Sequence, residues 1–68
     1  MAIVKHQIVE HDVVAFREAV RTWPPDTVGT VVSDYGDVKL VEVANPQGVA
    51  LDFVQVPAWQ LDLVAPAN

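Results

Sequence analysis

The sequence predicts a mainly β fold, a small barrel or sandwich of about five antiparallel strands. Three observations predict it. Short β-branched runs recur, V-G-T-V-V at 28–32, V-K-L-V-E-V-A at 38–44 and V-A-L-D-F-V-Q-V at 49–56. Turn-forming clusters separate them at regular intervals. The chain of 68 residues has room for one domain only.

Residues 3–9 hold β-branched pairs at each end and read as a strand or an extended arm. Residues 12–16, D-V-V-A-F, have two readings. One is a short apolar strand. In the other, Asp12 caps a helix whose Val13, Phe16 and Val20 share a face. Glu18 and Arg21 would pair on that helix. A strand to Phe16 followed by a helical turn over 17–22 satisfies both signals, and periodicity alone does not choose.

Trp23-Pro24-Pro25-Asp26 ends this segment, because neither proline donates to a ladder and Pro24 turns Trp23 from helical angles. A strand over 27–33 follows. Asp34-Tyr35-Gly36-Asp37 then forms a tight turn, with Gly36 free to take positive φ. Residues 38–44 return as the second arm of a hairpin. Asn45-Pro46-Gln47-Gly48 is a second strong turn, and 49–56 is the third strand of the meander. Residues 57–60 break the chain with one turn of 3₁₀ helix, and 61–64 form a last strand before an Ala-Pro-Ala-Asn tail.

Three segments carry a resemblance to a known family. They are D-V-V-A-F at 12–16, T-V-G-T-V-V at 27–32 and V-P-A-W-Q-L at 56–61. With the turns between them, the chain resembles short stand-alone bacterial SH3-like barrel proteins of unknown function, and chains of this kind also look like products of mobile gene cassettes. The resemblance implies an SH3-like barrel over 12–64, which leaves an N-terminal arm or extra strand over 1–11 and a tail at 65–68. It implies no catalytic signature. It also implies that Trp23, Tyr35, Phe53 and Trp59 lie near loops on one side of the barrel. The chain departs from the family in its N-terminal extension and in the Trp-Pro-Pro of its first loop.

Charge and composition bound the function. The net charge is −5, and the four cations, Lys5, Arg17, Arg21 and Lys39, form no cluster. Binding to nucleic acid rests on neutralised phosphates, and binding to anionic membranes on basic segments, so neither partner is expected. Cysteine is absent, which removes disulfides and thiolate metal sites together. No apolar run is long enough to span a bilayer. The first eleven residues lack the order of a secretory signal. A cytoplasmic protein is expected.

Candidate chemistry is sparse. His6, Glu10, His11 and Asp12 are the one cluster of potential metal ligands, but the spacing of five suits neither a strand face nor the helical i, i+4 arrangement. No metal and no cofactor are expected. Asp26, Asp34 and Asp37 sit where turns favour aspartate. Glu42 and Asp52 are expected to face outwards, with Asp52 paired across the sheet to Lys39. No nucleophile motif or phosphate-binding glycine loop is present, so no enzyme is expected.

The strands are apolar on both faces, although one buried face needs only alternate apolar residues. The expected inward set is Val14, Phe16, Val28 or Val31, Val41, Val43, Leu51, Phe53 and Leu61. The expected interface comprises Ile3, Val4, Ile8, Val9, Trp23, Val38, Leu40, Val54, Val56 and Trp59. A domain this small buries only roughly 60% of its unfolded surface, and oligomerisation is a common remedy. The function expected is a non-enzymatic β protein acting through protein contacts and forming a homo-oligomer. The alternatives are an immunity- or inhibitor-type protein covering a basic partner, or an accessory subunit of a larger enzyme.

Overall fold

Alternating apolar positions draw five strands into one antiparallel sheet. The computed structural model describes residues 7–67. The strands are β1 (Val13–Phe16), β2 (Val28–Asp34), β3 (Val38–Ala44), β4 (Ala50–Pro57) and β5 (Leu61–Ala65), with a 3₁₀ turn at Ala58–Gln60. Their order is β4-β3-β2-β1-β5, so β2, β3 and β4 form a meander and β5 returns to pair with β1. No ladder joins the edge strands β4 and β5 among the described residues.

The 3₁₀ turn forces this open sheet to curl. A flat sheet of five strands would hold its edges about 19 Å apart. Three residues of 3₁₀ helix link the end of β4 to the start of β5, a span of roughly 8 Å. The curled inner face encloses Ile8, Val14, Phe16, Val31, Val41, Val43, Val54, Val56 and Leu61, with Val20, Trp23 and Leu63 packed against them. Gly29 permits the tightest approach. A Cβ there would lie 2.5 Å from Val41 Cγ1 and 2.7 Å from the Glu42 carbonyl oxygen.

Both expected hairpin turns form. Gly36 takes φ 86°, and Asp34 Oδ1 accepts the Gly36 N–H at 2.9 Å. Asn45 Oδ1 accepts the N–H groups of Gln47 and Val49, each at 3.0 Å.

The helical readings of 12–22 give way to a strand and a bent loop. Val13–Phe16 is β1, while Val20 and Trp23 exchange backbone hydrogen bonds at 2.9 Å around a tight turn. Arg21 in that turn has φ 55°, so the Glu18–Arg21 spacing reflects no helix. Residues 7–11 are loop and turn, not strand.

β4 carries the main correction. Val54 and Val56, expected to face outwards, are core, whereas Leu51 and Phe53, expected inside, are exposed. A bulge explains the inversion. Asn45 donates its N–H to the Val49 carbonyl, a register that would oppose Val43 to Leu51 and Val41 to Phe53. Between Val43 and Ala44 the register shifts, and Val43 faces Asp52 while Val41 faces Val54. One extra residue reverses every side chain beyond it. At the ambiguous pair in β2, Val31 is inside and Val28 outside.

Candidate interaction surface

Two buried charges anchor the inner face. Asp12 is fully buried; its Oδ2 accepts the Val9 N–H at 2.9 Å and its Oδ1 the Ala67 N–H at 2.7 Å. One carboxylate thereby ties the segment before β1 to the segment after β5. Lys39 is only 2% exposed, and its Nζ lies 2.5 Å from Asp34 Oδ1. A second bulge makes that contact, because the register shift between Val31 and Ser33 brings Asp34 opposite Lys39. The Lys39 ammonium and the Gly36 N–H hold the Asp34 carboxyl below its ordinary value of 3.8.

Asp52 departs from expectation twice. It opposes Val43 on the inner face, and its partner is not Lys39. The Trp23 indole donates from Nε1 to Asp52 Oδ2 at 2.9 Å, and the Phe53 N–H donates to Oδ1 at 2.9 Å. The loop between β1 and β2 thus reaches across the open side of the sheet to β4. Glu42 does lie on the outer face, opposite Thr30 on β2 and Phe53 on β4.

The expected interface residues scatter. Ile3 and Val4 lie outside the described residues. Ile8, Val54 and Val56 are in the core, and Trp23 is half-buried against it. Val38 and Leu40 are half-buried on the outer face. Val9 is partly exposed, and Trp59 on the 3₁₀ turn is 62% exposed.

What sequence reading missed is which apolar residues the outer face carries. Val28, Leu51 and Phe53 are each about half exposed there. Register rows Val13–Thr30–Glu42–Phe53 and Ala15–Val28 place Val28 and Phe53 on one surface, with Leu40 beside Glu42 along β3; Leu51, the bulge residue without a register partner, lies two positions before Phe53 on β4. Charged residues on that face are Glu42 and Asp62, the latter accepting from Arg17 Nε at 2.8 Å. The bulge after Asn45 was the signal needed, and no residue type announces a bulge as glycine announces a turn.

Among the described residues no three His, Cys, Asp or Glu side chains gather as a metal site; His6 lies outside them. No pocket opens on the described surface. No described helix is long and apolar enough to cross a membrane. No family model matches the chain, and no curated protein or solved structure proved significantly similar to it.

Proposed function

We propose that this chain is a non-enzymatic, cytoplasmic β protein that works through protein contact, assembling first with itself, outer face against outer face. The observation that carries the reading is the half-exposed trio Val28, Leu51 and Phe53 on one continuous sheet surface. Apolar surface of this kind, laid out over neighbouring strands, marks contact sites in soluble proteins.

Magnitudes set the strength of the contact. Fully burying a large apolar side chain is worth roughly 1.5–3 kcal/mol, so half-burial recovers about 1 kcal/mol each. The trio on two copies contributes about 6 kcal/mol, against an association cost of roughly 4–15 kcal/mol. The self-contact is therefore reversible and concentration-dependent.

An SH3-like barrel is our reading of the architecture. Support comes from the pairing of β1 with β5, the β2–β4 meander, the long first loop and the three-residue 3₁₀ link that curls the sheet.

Sedimentation equilibrium at roughly 200 μM protein, in the range where weak contacts populate, tests the function. Phe53→Glu should hold the particle at monomer mass with its fold intact. A wild-type chain that stays monomeric at that concentration overturns the proposal.

Charge favours a second reading, in which a basic protein covers the same face. Glu42 sits amid the apolar residues, while Lys39 and Arg17 are committed to Asp34 and Asp62. Opposite potentials select partners and speed encounter. Glu42→Gln separates the readings: it tightens self-association by removing like-charge repulsion, and weakens capture of a basic partner.

A further inference from the structure

The edge of β4 presents backbone groups that no other strand pairs among the described residues. Ala58 donates its N–H to the Asp37 carbonyl at 2.7 Å, continuing the register in which Lys39 faces Val56 and Val41 faces Val54. Hydrogen-bonded and non-bonded pairs alternate along an antiparallel ladder. Val56, Val54 and Asp52 therefore aim their backbone groups at β3, and Phe53 and Gln55 aim theirs at the open edge.

Such an edge is a template for another strand unless something blocks it, and an inward-pointing charge is one natural block. Asp52 is an inward charge on this edge strand. Its Oδ1 takes the Phe53 N–H, the donor an incoming strand would need. Its Oδ2 is held by the Trp23 indole, and Trp23 packs on the core. The carboxylate is fixed from a different part of the chain, which makes the block part of the tertiary fold.

We propose that the β4 edge is a latent strand-addition surface, kept shut by Asp52 with Trp23 as its anchor, and that the strand it would accept is β4 of a second copy. The strand suits itself. Paired antiparallel about Phe53, two copies would set Phe53 beside its counterpart on the outer face, with Leu51 beside Gln55 of the second copy, and on the inner face would set Val54 against Asp52, the residue that guards the edge. Two-fold pairing of this kind is isologous, each copy offering the same groups. Edge pairing uses backbone groups and outer-face docking uses side chains, so the two readings fail separately.

The experiment uses Val28→Glu as background, because Val28 lies on β2, away from the β4 edge, and its charge removes the face contact. Val28→Glu alone should sediment as a monomer. Val28→Glu with Asp52→Ala should form dimers or larger species with increased strand signal in circular dichroism. Trp23→Phe, which keeps an aromatic ring but removes the donor, should produce the same species more slowly. A folded double variant that stays monomeric overturns the proposal. So does equal growth in Val28→Glu with Gly29→Ala, which destabilises the core by overpacking without touching the edge. Amide exchange in the wild-type chain tests the guard without any variant. The Phe53 amide should exchange on the order of tenfold more slowly than that of Gln55, as expected for a hydrogen bond to a carboxylate. Equal rates at the two positions overturn it.

Discussion

The inner and outer faces of the sheet each carry a few residues of the type expected on the other. Inside lie Asp12 and Lys39, both nearly inaccessible, with Asp52 at the rim. Outside lie Val28, Leu51 and Phe53, each about half exposed. The difference teaches that burial here follows register and not polarity. A charged side chain is tolerated inside when geometry supplies partners: two backbone N–H groups for Asp12, a carboxylate for Lys39, an indole and an amide for Asp52. Unpaired burial would be expensive for each.

Breaking the inner face should have the largest effect. Asp12→Ala leaves the N–H groups of Val9 and Ala67 without their charged acceptor, and hydrogen bonds to charged groups are worth about 1.5–3 kcal/mol each. A loss of about 3 kcal/mol or more is expected in urea denaturation, enough to unfold much of so small a domain. Gly29→Ala comes next. The added methyl meets the Glu42 carbonyl, which is backbone and cannot swing aside. Overpacking of this type costs about 1–3 kcal/mol, read as a lower thermal midpoint.

Acid sharpens the comparison. Because the Asp34 carboxyl titrates below 3.8 in the folded chain, its contribution is fully present above that pH. It is lost as pH falls through the lowered value. Thermal midpoints measured from pH 5 down to pH 2 should therefore decline, and Asp34→Asn should flatten the decline. On the outer face the effect on folding is smallest. Phe53→Glu should lower unfolding stability by about 1 kcal/mol, because half-burial of the ring is lost and Glu42 stands opposite, while abolishing self-association.

How far this was legible from sequence depends on which physical signal set each feature. Turns were legible because Asp34, Gly36, Asn45 and Gly48 have local reasons to be where they are. The facing of β3 followed from simple alternation, with Val41 and Val43 inside. The facing of β4 did not, because a bulge at Leu51 carries no residue signature and reverses everything after it. Asp52 compounded the error, since a charged residue in an apolar strand suggests solvent. Its true partner, Trp23, lies 29 residues away, beyond any local pattern. The candidate surface was therefore legible as a surplus of apolar residues but not in its membership. Leu40 was placed outside correctly, while Val54 and Val56 stood in for Leu51 and Phe53.

The ladder between β1 and β5 has a consequence for biosynthesis. Val14 and Phe16 pair with Leu63 and Leu61, and Asp12 takes the N–H of Ala67, 55 positions along the chain. The first strand thus waits for a segment far along the chain before it gains its second neighbour. Contacts so distant along the chain slow folding, and until they close, the two-sided apolar strands stand open to aggregation on the ribosome or just after release.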